Sequence, residues 1–153
     1  MSRSIMFNDD LNGTVSQKIK HISRLIDDIV SEYYKEKSIT VAQADVLTRV
    51  YNEERLSMNS LCEDLNMSKS NISPVCKKLE LAGYLRKSRD FYDQRVVYLE
   101  LTDEGKEIVG GINERMKKDG LSVTSLIGYE NLVNLNSALD ELETALEKTV
   151  NNL

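Results

Sequence analysis

The chain reads as a mainly α fold carrying one small β-wing, on three grounds. Apolar residues recur at spacings of three and four through most of the chain, glycine and proline are scarce (seven Gly, one Pro), and a short run, RVVYLEL at residues 95–101, alternates with period two. At 153 residues, with 41% hydrophobic and 29% charged side chains, the chain suits one folded helix-rich domain rather than two domains or a disordered segment. It has no apolar stretch of about 18 residues and no signal-type apolar core near its start, so it is expected in the cytoplasm and off the membrane. The two cysteines, Cys62 and Cys76, then read as free thiols.

The elements follow in order. Leu11, Val15, Ile19, Ile22, Ile26, Ile29 and Tyr33 form one face of a long amphipathic helix ending near Lys37. Thr40 is placed to cap a second helix, with Gln43 in capping-box position and Val46, Leu47 and Val50 as its buried stripe. Ser57 caps a short third helix bearing Leu61, Cys62 and Leu65, and Asn66 is a candidate left-handed residue after it. Ser68 then caps a helix with Ile72, Val75, Cys76, Leu79 and Ala82 on its apolar positions, stopped by Gly83.

Two short helices joined by a turn residue, with a small side chain at their crossing, are the pattern of a helix-turn-helix. The residues beyond it, Tyr84 to Ser88, a polar tip, and a strand with Val97, Leu99 and Leu101 opposite Val96, Tyr98 and Glu100, add a β-hairpin. The expected fold is therefore a winged helix-turn-helix core over 38–101, flanked by helices at 8–37 and 102–153, all one domain over 1–153.

Charge points to the same segment. Between Met67 and Tyr98 seven Lys/Arg stand against three acids, a local +4, whereas the rest of the chain holds 13 bases and 22 acids. An acidic body with one basic patch steers a polyanion to one face and repels it elsewhere. With Ile72, Val75 and Leu79 turned inward, Ser68, Lys69, Ser70, Asn71, Ser73, Pro74 and Lys77 fall on the outer side of the fourth helix, where short polar side chains reach base edges in a major groove about 12 Å wide. Pro74 forfeits one helical hydrogen bond, that to Ser70's carbonyl, at roughly 3 kcal/mol if uncompensated; its ring either presses on a thymine methyl or is a tolerated kink. Arg95, with Arg89 as a substitute, is the candidate for a minor groove, and Asp93 is expected to orient an arginine.

Residues 61–108, LCEDLNMSKSNISPVCKKLELAGYLRKSRDFYDQRVVYLELTDEGKEI, resemble the winged-helix core of the MarR-type (multiple antibiotic resistance regulator) bacterial transcription factors. The resemblance lies in Leu79-Glu80…Gly83-Tyr84-Leu85-Arg86-Lys87 and in Asp93-Gln94-Arg95 leading to Leu101-Thr102…Gly105, both at family spacing. It implies a homodimeric regulator of transcription bound to double-stranded DNA, in the form of a repressor blocking promoter access. Two departures stand out. Ser73-Pro74 resembles the organic-hydroperoxide branch, which senses through a cysteine in its first helix, but residues 1–40 contain no cysteine; and the common wing tip D-P-R-D-R-R is here Asp90-Phe91-Tyr92-Asp93-Gln94-Arg95.

The ends of the chain suggest how it assembles. Leu132, Leu135, Leu139, Leu142, Leu146 and, after a gap, Leu153 form a heptad seam, which wants a partner: a second copy, through residues 8–37 and 122–153, or the chain's own first helix. Gly110-Gly111 is expected to break the helix begun at Thr102, at either a close crossing or a flexible point. The single histidine, His21, has no nucleophile or base near it in sequence, and no phosphate loop or Cys/His/Asp cluster for a metal is present, so neither an enzyme nor a cofactor is expected. A small aromatic effector is expected in a crevice between dimer helices and winged core, with Tyr33, Tyr34 and Tyr51 as candidate walls. Two alternatives remain open: a thiol-based redox sensor using Cys62 and Cys76, and a winged-helix protein-interaction module that binds no DNA.

Overall fold

A computed structural model of the chain describes residues 14–53 and 55–152. The predicted first helix is present as α1, Ser16–Tyr34, tightened into a 3-10 turn at Lys35–Lys37 and stopped by Ser38 in the left-handed region (φ 53°). Leu11 and the start of the predicted 8–37 helix lie outside the described residues. Tyr34 and Ile39 are buried, while Val15, Ile19, Ile22 and Ile26 of the apolar stripe are exposed.

Helix α2, Val41–Tyr51, opens with the reciprocal cap its sequence predicts: Gln43 N–H donates to Thr40 Oγ1 (3.3 Å) and Thr40 N–H to Gln43 Oε1 (2.9 Å). Its inner face buries Ala44, Val46, Leu47 and Val50. A two-residue strand β1, Leu56–Ser57, leads into α3, Met58–Asp64, capped by Ser57, whose Oγ accepts from Ser60 N–H at 3.0 Å. Asn66 takes the left-handed conformation (φ 48°) in the turn, as its short polar side chain allows.

Helix α4, Lys69–Leu81, runs unbroken through Pro74. Ser68 holds the N-cap backbone, but its hydroxyl bonds Ser70 Oγ (2.8 Å) instead of a helix N–H. The inward residues are Ile72, Cys76 and Leu79, all with no exposed surface, so the small Cys76 rather than Val75 fills the place against the core and Val75 is half-buried. Ala82, expected on the apolar face, is exposed because the helix has already ended. Gly83 (φ 81°) and Tyr84 close it, with Gly83 N–H to Glu80 O and Tyr84 N–H to Leu79 O.

Strands β2, Leu85–Arg89, and β3, Val97–Leu101, form the hairpin, in register from Leu85↔Leu101 to Arg89↔Val97. The sheet is antiparallel with order β1-β3-β2, because Leu56 pairs with Leu99 and Ser57 with Tyr98, a strand the sequence did not announce.

Helix α5, Asp103–Lys118, begins where LTDEG ends the wing. Thr102 is the clasp: its hydroxyl donates to Gly83 O (2.6 Å) and accepts from Gly105 N–H (3.1 Å), and its own N–H donates to Tyr84 O (3.2 Å). Gly105 is required there, since a Cβ would strike the Tyr84 carbonyl oxygen. The break expected at Gly110-Gly111 does not occur: α5 passes through both. Two glycines cost about 1 kcal/mol each against alanine, less than the burial of Ile108, Val109 and Ile112 on the same helix contributes.

The chain divides into two compact units, Met1–Ile112 and Asn113–Leu153. In the second, Ser122 caps the short helix α6, Val123–Ile127, and Gly128 (φ 81°) turns the chain into α7, Tyr129–Asn151. Along α7 Leu135, Leu139 and Leu146 of the seam are exposed, with Leu132 and Leu142 half-buried; Leu153 lies outside the described residues. No helix of the described residues is long and apolar enough to cross a membrane.

Candidate nucleic-acid interface

The two parts of the expected site belong to Met1–Ile112 and are held by different means. Helix α4 is fixed by its buried side, so its outer side is presented rigidly. Ser68, Lys69, Ser70, Asn71, Pro74 and Lys77 are exposed there, and Ser73 is half-buried. Lys78, one step from Lys77, is exposed as well.

The wing tip is ordered by its own polar residues. Asp90 Oδ1 accepts the N–H groups of Tyr92 (2.9 Å) and Asp93 (3.0 Å), and Gln94 Nε2 donates to Asp90 O (2.9 Å). Asp93 meets Arg95: Oδ1 accepts from Arg95 Nε (3.1 Å) and N–H (3.0 Å), and Oδ2 accepts from Nη2 (3.3 Å). This two-pronged pairing holds a guanidinium that is otherwise in solvent. Both carboxyls sit below the usual range, Asp93 through the Arg95 side chain first and Asp90 through the two backbone N–H bonds first. Arg89 Nη1 donates to Gln94 O (2.7 Å), bracing the tip, and its side chain is exposed.

The electrostatics sort the seven bases of this segment. Arg86 pairs with Glu100 (2.8 Å), Lys87 with Glu80 (3.3 Å) and Arg95 with Asp93, whereas Lys69, Lys77 and Lys78 on α4 make no ion pair among the described residues. The helix lysines are thus free to meet phosphates. Behind the wing, Arg55 lies over the Tyr98 ring (3.8 Å) and near Glu100 (3.6 Å), tying the approach to β1 onto the sheet.

The other candidates separate. Tyr34 is core, 3% exposed, its hydroxyl bonded to the Thr48 side chain and its pKa raised chiefly by burial, so it is no open wall. Tyr33 is half-buried, and Tyr51 is partly exposed with its hydroxyl beside Gly110. Cys62 is half-buried and Cys76 is buried, its thiol pushed up to about 11, mainly by that burial.

A small antiparallel wing and a helix-turn-helix with an outward polar helix define a winged helix-turn-helix fold, the fold also of wild-type MarR from E. coli (TM-score 0.65, 20% identity, 83% of this chain and 94% of that one) and of AbsC, a MarR family transcriptional regulator from Streptomyces coelicolor (TM-score 0.74, 20% identity, 91% and 96%). The model of one family, transcriptional regulator SarA/Rot, matches residues 28–112, and the chain belongs to that family, which is one of regulators and not of enzymes. The HTH-type transcriptional regulator SarZ of Staphylococcus aureus is 31% identical over 84 residues, 55% of this chain and 57% of SarZ, so the chain spans little more than half the length of this relative. Reduced AbfR bound to DNA has the same fold (TM-score 0.72, 23% identity, 92% of this chain and 93% of that one). So has NadR in complex with 4-hydroxyphenylacetate (TM-score 0.75, 20% identity, 85% and 92%).

Proposed function

We propose that the chain is a sequence-specific DNA-binding regulator of transcription, acting in the cytoplasm as a homodimeric repressor on a palindromic operator. The observation that carries this is the outer face of α4, where Ser68, Lys69, Ser70, Asn71, Pro74 and Lys77 stand in solvent on a helix whose other face is locked into the core. Such a helix enters the major groove with serine and asparagine at base edges and unpaired lysines at phosphates. Arg95, oriented by Asp93, takes the minor groove. Membership of a regulator family and the fold shared with DNA-bound AbfR support the proposal.

The dimer is supported by the exposed apolar stripes of α1 and α7, since Ile19, Ile22 and Ile26 on one helix and Leu135, Leu139 and Leu146 on the other leave apolar surface that a second copy would remove from water. For release from DNA, a small aromatic ligand near Tyr33 and Tyr51 is the proposed signal, a role supported by the aromatic acid that NadR, of the same fold, carries. A ligand acts there only by preferring the dimer geometry that misplaces the reading helices, and about 1–3 kcal/mol of coupling weakens DNA binding roughly 5- to 150-fold.

Footprinting on duplexes selected from a randomised pool tests the proposal. The expected result is a two-fold site with half-site centres about 34–36 Å apart and affinity that falls steeply with salt. Failure to bind duplex DNA even at low salt would turn the reading toward a protein-interaction module, and full-affinity protection of one asymmetric half-site would remove the symmetric dimer.

A further inference from the structure

The most exposed large apolar side chains of the winged core sit together at one point. Phe91 is 85% and Tyr92 93% exposed, their rings edge to face at 5.2 Å and 87°, on the outermost turn of the wing. Adjacent aromatics in water are not explained by folding, because neither ring touches the core. The turn that carries them is also more tightly bonded than an idle loop requires: Asp90 Oδ1 takes two backbone N–H groups, Gln94 Nε2 ties back to Asp90 O, and Arg89 clamps Gln94 O at 2.7 Å. Rings displayed on a rigid turn lose little freedom when they meet a partner.

We propose that Phe91 and Tyr92 form an aromatic wedge that enters the DNA minor groove and partly unstacks a base step there. This rests on the DNA-binding reading above and extends it to the wing. DNA is favoured over protein as the occupant by continuity with the basic segment, in which Lys/Arg outnumber acids seven to three between Met67 and Tyr98. Arg89 and Arg95 flank the pair, the wing continues directly from the end of α4, and the carboxylates of Asp90 and Asp93 are turned inward onto backbone N–H groups and Arg95 rather than offered bare to phosphates. Apolar side chains used in this way open pyrimidine–purine steps, which unstack most readily, and bend the duplex toward the major groove. The wing then selects operators by deformability at base pairs that no side chain reads by hydrogen bonding.

The test uses the full chain and a duplex selected by it from a randomised pool, with 2-aminopurine placed in turn at each step flanking the α4 footprint. The parent is expected to raise 2-aminopurine fluorescence several-fold at one step per half-site. The double variant Phe91→Ser, Tyr92→Ser should melt with the parent, bind about 10- to 100-fold more weakly as stacking is lost, and give no fluorescence rise. Its salt slope should stay that of the parent, because no phosphate contact is removed. Phe91→Leu, Tyr92→Leu, which keeps an apolar wedge, should recover part of the affinity and of the signal. A parent that binds without any fluorescence change, or a serine variant that binds within twofold of the parent, overturns the wedge and leaves DNA binding standing. A parent that binds no duplex overturns both.

Discussion

Replacing Gly105 with alanine is expected to destabilise the winged core even though alanine is the better helix former. Inside a helix the exchange alone would gain about 1 kcal/mol. At Gly105, however, the new Cβ points into the backbone of Tyr84, colliding with its carbonyl oxygen and lying 3.1 and 3.3 Å from its carbonyl carbon and Cα. A backbone cannot rotate away as a side chain can, so the first turn of α5 must retreat from the start of the wing. Overpacking of this kind costs about 1–3 kcal/mol. The retreat also stretches Thr102 Oγ1 to Gly83 O (2.6 Å) and Thr102 N–H to Tyr84 O (3.2 Å), worth about 1 kcal/mol each. Less the propensity gain, the net loss is about 2–4 kcal/mol, or a fall in Tm of roughly 5–15 °C at this chain length. Thermal and urea unfolding followed by circular dichroism would measure it. Gly111→Ala is the internal control, because nothing lies within 4 Å of its Cβ and it should gain up to about 1 kcal/mol. If Gly105→Ala melts with the parent, or if both variants move the same way, the clasp between α5 and the wing is not what holds these elements together.

Arg95→Ala should weaken operator binding by about 1–3 kcal/mol, whereas Lys77→Ala should weaken all duplexes alike and lower the salt slope by about 1; equal affinity of Arg95→Ala and parent in a titration would take the wing arginine out of the site. Burial first, then the charge of Asp27, raises the Asp45 carboxyl above its ordinary range. The folded chain therefore holds a proton there that the unfolded chain has lost, so stability falls as pH rises through the window just above the usual carboxylate pKa and levels off beyond it. Asp45→Asn should flatten that slope and stabilise the chain at neutral pH by no more than a few tenths of a kcal/mol, since the side chain reaches water; a steeper slope in a melting series across pH would contradict this. With its thiol at about 11 and no exposed surface, Cys76 should resist iodoacetamide at neutral pH until the chain is unfolded, and mass spectrometry showing prompt labelling of the native protein would count against the buried assignment. Hydroperoxide should accordingly leave DNA binding unchanged in both the parent and the Cys62→Ser, Cys76→Ser variant; a loss in the parent alone, restored by thiol, would make the redox alternative the better account.

The features legible in the amino acids alone lie within a few residues of each signal. The Thr40–Gln43 cap, the Ser57 cap, the left-handed Asn66 and the Gly83 stop all depend on partners at most five positions away, and the three-and-four periodicity names the buried stripe without knowing what covers it. The outer face of α4 was legible for the same reason, since a helix with Ile72 and Leu79 inside must turn Asn71 and Lys77 outside. The rest depends on a remote partner or on competition between near-equal choices, and it took shape only in the packed fold. Strand β1 exists because Leu56 meets Leu99, and two residues carry no strand signal of their own. How deep each apolar position of α4 sinks, Cys76 fully and Val75 only half, was set by what packs against the helix. Arg89 donates to Gln94 O because the wing's turn brings that carbonyl within reach. The Gly110-Gly111 helix stayed whole because the apolar residues around it gain more by burial than two glycines lose in chain entropy, a balance that can be drawn only once the neighbours of Ile108, Val109 and Ile112 are in place.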